Sequence, residues 1–309
     1  MNARHFLSIS NIGQETITHL VERALDFANG NRSGAYPLKG KIVGIYFKKT
    51  STRTRTSFTV GAIKLGGTVV QYGPNDLQLV TGESISDTAR VLSEYLDFLV
   101  VRTNESIGDM VEFTMQEKMS VINAMSENEH PTQAVADLTT LREAFGRLTD
   151  IHVLYVGEGN NTAAALALSI CQIRGMALTI VTPEGYGLSD DLMSVAKESA
   201  KVNGALIEQH HRLERLPKHV DAVYATRWQT MGVPKADIDW RDKFDPFRVT
   251  KEMMAEVSKP KGTIFMHDLP AIRGVDVVDE VIDGPQSVAF RQARHKLSSA
   301  MSVLEWCAS

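Results

Sequence analysis

Apolar and polar positions along the chain fall into two alternating patterns. Short, nearly unbroken apolar runs such as Ile42-Val43-Gly44-Ile45-Tyr46-Phe47, Thr68-Val69-Val70-Gln71-Tyr72, Phe98-Leu99-Val100-Val101 and Val121-Ile122-Asn123-Ala124 read as strands buried on both faces. Between them lie longer stretches whose apolar residues recur every three or four positions, the spacing of a helix with one buried face. Residues 12–29, with Ile17, Leu20, Val21, Ala24, Leu25 and Phe27, form such a stretch and end near Gly30. Residues 56–65, 84–95 and 134–145 form others, and residues 78–83 read as a polar loop. Strand alternating with helix predicts an α/β fold with parallel sheets.

A linker, Gly146-Arg147-Leu148-Thr149-Asp150, separates this series from a second one. Its predicted strands are His152-Val153-Leu154-Tyr155-Val156, Leu178-Thr179-Ile180-Val181-Thr182, Ala222-Val223-Tyr224-Ala225-Thr226 and Thr263-Ile264-Phe265-Met266. An Ala/Leu-rich helix follows the first, a helix over residues 188–203 follows the second, and residues 286–308 close the chain as a long helix. Residues 233–247, rich in Asp, Lys and Pro, predict a surface excursion that covers a pocket.

At 309 residues the chain exceeds one average domain, which supports two. The net charge of −4, with both signs interspersed, argues against nucleic acid or a membrane as the main partner and for a small ligand. Cys171 and Cys307 give neither metal-ligand spacing nor a disulfide framework, which fits a reducing cytoplasm. Met1-Asn2-Ala3-Arg4-His5 lacks a signal-peptide core, and no apolar run approaches the ~20 residues that span a bilayer. A cytoplasmic protein without metal or cofactor is therefore expected.

The chemistry concentrates where strands end. Ser51-Thr52-Arg53-Thr54-Arg55 follows the first strand, and the pattern places the whole pentad on the turn before a helix. First-turn amides without partners and the helix dipole make an anion site, and hydroxyls alternating with guanidiniums suit phosphate oxygens. Helix capping and a solvated basic face are the plain alternative. Arg102 ends the third strand, where ligands gather in open α/β sheets, and can face the same anion. His130-Pro131-Thr132-Gln133 begins another helix; the dipole disfavours a cationic imidazole there, and a neutral one can still donate to a carbonyl oxygen. Gly157-Glu158-Gly159-Asn160-Asn161 is similar to half of a dinucleotide fingerprint, which leaves a nicotinamide-binding oxidoreductase as a rival reading.

Taken together, the pentad, His130-Pro131-Thr132-Gln133 and His267-Asp268-Leu269-Pro270, in that order, resemble the motifs of the aspartate/ornithine carbamoyltransferase family. The resemblance spans nearly the whole chain. It implies a carbamoyl phosphate-binding domain over residues 1–145, joined by a final helix over 286–309 that packs back on it, and an amino-acid-binding domain over 146–285. It also implies a homotrimer with active sites at subunit boundaries, and closure of the two domains around the reactants. Ser51, Thr52, Arg53, Thr54 and Arg102 would hold the phosphate. His130, Gln133, Leu269 and Lys296 would meet the carbamoyl group, and Gln78 would arrive from the neighbouring subunit. Relatives carry arginine at the position of Lys296, so its contact with the donor is an open point.

On the acceptor side the resemblance is mixed. Met125, Asn161, Met231 and Gly232 look like the ornithine branch, while Thr226-Arg227-Trp228-Gln229, with Thr230 beside it, is similar to the aspartate branch. Ornithine enzymes carry aspartate where this chain has Thr226 and cysteine where it has Asp268. Asp268, grouped with Arg102 and His130 as catalytic, would attract an ammonium group or accept the attacking nitrogen's proton. Ornithine leads as the acceptor. A shorter acceptor such as 2,3-diaminopropionate or aspartate, a pairing of Arg227 with Asp268, and a non-catalytic binding relative stay open.

Overall fold

The structure, a computed structural model, describes residues 3–31, 36–229 and 235–309. Three of the residues expected on the acceptor side, Thr230, Met231 and Gly232, lie outside the described residues, as do Val233 and Pro234 of the expected excursion. Backbone contacts divide the chain into two compact units, Met1–Thr139 with Arg294–Ser309, and Thr140–Ala293.

In the first unit the elements run α1 (Gly13–Ala28), β1 (Ile42–Phe47), α2 (Arg53–Lys64), β2 (Thr68–Tyr72), α3 (Ile85–Leu92), β3 (Phe98–Arg102), α4 (Gly108–Phe113), β4 (Ser120–Met125) and α5 (Pro131–Phe145). The four strands form one parallel sheet in the order β2-β1-β3-β4. Every residue of β3 and β4 is buried, as expected for strands covered on both faces, while the edge strand β2 is partly exposed. Leu92, Leu96, Leu99, Met110, Phe113 and Val121 make one contiguous core, each such side chain contributing roughly 1.5–3 kcal/mol by leaving water.

The second unit continues with β5 (His152–Val156), α6 (Asn161–Ile170), β6 (Ala177–Val181), α7 (Asp190–Asn203), β7 (Leu206–His210), β8 (Ala222–Ala225), α8 (Trp240–Phe244), α9 (Lys251–Val257), β9 (Ile264–His267), α10 (Asp279–Ile282) and α11 (Ala289–Ala308). Its sheet is parallel, in the order β7-β6-β5-β8-β9. Leu154, Val156, Val223, Met254, Val257 and Phe265 pack together at its centre.

The last helix enters the first unit at Arg294. Gly61 on α2 permits the approach, because a Cβ there would lie 3.2 Å from Met301 Cγ. Arg4 donates to the Trp306 carbonyl at 2.9 Å and stacks 4.8 Å from its ring centroid, and Arg23 donates to Glu305 at 2.9 Å.

Three local expectations need correction. The helix after β1 begins at Arg53, so only Ser51 and Thr52 of the pentad form the turn and the other three are already helical. β7 is a strand where the sequence pattern showed none; as a sheet edge it alternates exposed Leu206 and Glu208 with half-buried neighbours, and its apolar run is short. The stretch before residue 247 is not wholly a surface excursion, since Phe244 and Phe247 are buried. Among the described residues no helix is long and apolar enough to cross a membrane.

Candidate active site

Both sheets reverse their strand order once, and ligands in open α/β sheets gather at the carboxyl ends of the strands flanking such a reversal. In the first unit the reversal falls between β1 and β3, whose last residues Phe47 and Arg102 are register partners. The pentad follows one and Arg102 closes the other. Arg102, although buried, donates from Nη1 to Thr54 Oγ1 at 3.0 Å, tying the strand end to the first turn of α2. Thr52 occupies the N-cap but its hydroxyl makes no capping bond, and the amides of Arg53, Thr54 and Arg55 lie in the first turn. Arg55 rests over the Phe47 ring at 5.2 Å, and Ser51 and Arg53 are half-buried.

His130 precedes α5 and is buried, with Nδ1 3.4 Å from Thr132 Oγ1. Burial, then the positive charges of Lys296 and Arg102, hold its pKa well below the ordinary value, so the imidazole is neutral at physiological pH. Gln133, one turn on, donates from Nε2 to Asp137 at 2.7 Å and accepts from the Lys296 ammonium. Met125 ends β4 and is buried. Gln78 is exposed on a short 3-10 turn, where its side-chain oxygen accepts from Thr81 Oγ1 at 2.8 Å.

In the second unit the order reverses between β5 and β8. After β5, Asn160 caps α6, its side-chain oxygen accepting from Thr162 N at 2.9 Å and Ala163 N at 3.2 Å. Its Nδ2 donates to Thr226 Oγ1 at 3.2 Å just past β8. Thr226 in turn donates to Asp268 Oδ1 at 3.2 Å, and Thr162 donates to Asp268 Oδ2 at 3.0 Å. Each carboxylate oxygen of Asp268 therefore takes one hydroxyl and keeps further acceptor capacity. Asn161, the first residue of α6, is buried, and Arg227 and Gln229 are half-buried. Arg227 Nε is buried without a hydrogen-bond partner, and the described contacts of Asp268 are with Thr162, Thr226 and His267, not with Arg227.

Behind Asp268, His267 is fully buried and bonds Asp276 through Nε2 at 2.7 Å. Its Nδ1 accepts the Leu269 N–H at 2.9 Å, which leaves the ring proton on Nε2. Leu269 has a left-handed backbone, φ 53°, a conformation that costs a non-glycine residue ~1–2 kcal/mol and is held here by that bond. Gly159 has a packing reason of its own: a Cβ would lie 2.4 Å from the Gly187 backbone. This second glycine of the pattern that resembled a dinucleotide fingerprint thus lets two loops touch.

Comparison with known proteins bears on the arrangement as a whole. A family profile described as aspartate/ornithine carbamoyltransferase, carbamoyl-P binding domain, matches residues 4–143, and its companion, the Asp/Orn binding domain, matches residues 149–307. The chain belongs to the aspartate/ornithine carbamoyltransferase family. Ornithine carbamoyltransferase of Caldicellulosiruptor saccharolyticus is 38% identical over 303 residues, covering 97% of both chains. That of Methanobrevibacter smithii is 38% identical over 300 residues, covering 97% of this chain and 98% of its own. Among solved structures, ornithine carbamoyltransferase from Pyrococcus furiosus superposes with a TM-score of 0.90 at 36% identity, over 98% of this chain and 96% of that one.

Within this family frame, several residues around the candidate site went unnoticed in the sequence. Asp137, Asn160 and Thr162 each fix an expected site residue, and Asp276 fixes His267, the neighbour of the expected Asp268. The four-residue spacing of Gln133 and Asp137 along a helix was a local signal for the first. Lys235 was missed too: its buried ammonium pairs with Glu158 and lies 4.7 Å from the Tyr186 and 5.0 Å from the Phe244 ring centroids. No local pattern marks that contact, because its members come from separate segments of the chain.

Proposed function

We propose that the chain transfers the carbamoyl group of carbamoyl phosphate to the amine of an amino acid, with ornithine the first candidate, and releases phosphate. The observation that carries this is the Arg102–Thr54 bond at the helix start, which gathers a fixed guanidinium, hydroxyls and first-turn amides at the strand reversal. Those groups suit a phosphate. Ser51, Thr52, Arg53, Thr54 and Arg102 hold it, and His130 and Gln133, with Leu269, meet the carbamoyl group. The amino acid is held by the second unit through Asn161, Thr226, Arg227, Gln229, Thr230, Met231 and Asp268, and Met125 of the first unit is a further candidate contact. The names of the relatives support ornithine.

The neutral amine attacks the carbamoyl carbon, and the carbonyl electron pair moves onto oxygen, where the neutral His130 donates a hydrogen bond. As the carbon–oxygen bond to phosphate breaks, charge gathers on the leaving group among Arg53, Arg102 and the helix start. Donors fixed around both oxygens stabilise this state more than the bound reactants. The attacking nitrogen gives its proton to Asp268, which its two threonines hold in place.

A second reading keeps the chemistry and shortens the acceptor. Arg227, half-buried and with its Nε left without a hydrogen-bond partner, suits the carboxylate of a compact diamino acid such as 2,3-diaminopropionate. Phosphate release from carbamoyl phosphate, measured against a panel of amino acids, tests both. Arg53→Ala should raise KM for carbamoyl phosphate about tenfold or more, and Arg227→Ala should do so for the acceptor. Equal effects of each variant on both substrates would refute the division of labour, and no acceleration by any amine would refute catalysis.

A further inference from the structure

Lys296 is buried on the final helix, and its ammonium does not end in solvent. It donates to Gln133 Oε1, while the other end of the same amide donates to Asp137 Oδ1 at 2.7 Å. Gln133 and Asp137 are themselves buried, at 1% and 0% exposure, so neither end of this chain is loosened by water. An amide can flip, exchanging its oxygen for its nitrogen, when both ends see similar partners. Here it cannot. An ammonium at one end can donate only to the amide oxygen, and a carboxylate at the other can accept only from the amide nitrogen. One N–H of Gln133 remains for a ligand.

The same ammonium acts on a second group. With Arg102 from β3 it places positive charge beside His130, whose own hydroxyl neighbour Thr132 is uncharged. The neighbouring carboxyl, Glu129, turns away to the Ile9 amide at 2.7 Å. Burial first, and then these two positive charges, favour the neutral form of the imidazole. Lys296 stands 163 positions from Gln133 in the chain, so only folding of the last helix against α5 assembles the arrangement.

We infer that Lys296 is a positioning residue that works through Gln133, setting the amide's orientation for the carbamoyl group. This deepens the proposed function and rests on it. Lysine acts on the donor through control of a side chain that meets it.

The test is a double-mutant cycle on the full-length protein, using Lys296→Met, Gln133→Ala and the pair. Two readouts are taken: kcat/KM for carbamoyl phosphate, and calorimetric binding of phosphonoacetamide, in which a methylene replaces the donor's bridging oxygen. Lys296→Met is expected to lower kcat/KM about 10–100-fold with acceptor KM nearly unchanged, and the pair should be scarcely worse than Gln133→Ala alone. Removing the charge should also move the acid limb of the pH profile upward, because protonation of His130 becomes easier, whereas Lys296→Arg should leave the limb in place. Losses that multiply overturn the inference. If Lys296→Met does not fold, Lys296→Gln, which keeps a donor and removes the charge, runs the same cycle. Should the wild type bind phosphonoacetamide yet transfer to no amine, the proposed function fails while the binding cycle still judges Lys296.

Discussion

Glu129 is a carboxyl group almost without water: it is 6% exposed and accepts the Ile9 N–H at 2.7 Å. Burial pushes its pKa up to about 7, against the opposing pull of its hydrogen bonds to Ser8 and Ile9. The unfolded chain releases this proton near the ordinary value of 4.5, whereas the folded chain keeps it to about 7. Between these values the folded state binds more protons, so this group makes stability fall as pH rises, by up to about 3 kcal/mol in all. Above the window the loss is complete, and below it there is none. Glu129→Gln keeps an acceptor for Ile9 and cannot ionise. Its advantage in Tm over the wild type should grow from about pH 5 to about pH 8, and an advantage independent of pH would contradict the account. The same scale explains why Asp268 was legible as chemistry but not as geometry. A carboxylate beside a motif is visible in a sequence, whereas the hydroxyls of Thr162 and Thr226 that orient it reach it only in space.

At the scale of elements, α6 shows how one residue serves two purposes. Asn160 caps the helix through its oxygen and steadies Thr226 through its nitrogen. The two purposes separate by substitution. Asn160→Ala should cost about 1–2 kcal/mol in denaturant unfolding, the usual loss for a removed cap. Asn160→Asp should retain that stability, because a carboxylate caps equally well, yet raise the acceptor KM because the donor to Thr226 is gone. If both variants lose the same stability, the cap is not what Asn160 contributes. Elements were legible in proportion to their burial. β3 and β4 are apolar runs because water reaches neither face, while β7, at a sheet edge, carries Glu208 and Gln209 and lacks that signature. The start of α2 was placed too late because Arg53, Thr54 and Arg55 have no apolar periodicity, although their first-turn amides are what an anion needs.

At the scale of the molecule, the proposal that Gln78 completes a neighbouring subunit's site has a direct test. Gln78 is exposed, and its side chain is held by Thr81, so nothing in its own unit buries it. If it reaches across a trimer, Gln78→Ala and Arg53→Ala subunits mixed under conditions that exchange chains should recover activity that neither homotrimer has. Hybrids with no more activity than the separate variants, although exchange is verified by mass, would place Gln78 outside any shared site.

The sequence by itself determined the two series of strands and helices, the basic and hydroxyl pentad after β1, and the histidine ahead of α5, because each is written in neighbouring residues whose spacing follows strand or helix geometry. Tertiary structure alone decided which partners such groups meet: Arg102 on Thr54, Lys296 on Gln133, Thr162 on Asp268. These contacts join residues far apart in the chain through strand order and the return of the last helix. Such neighbours are selected by the packing of whole elements, and no local pattern of hydrophobic and polar residues encodes them.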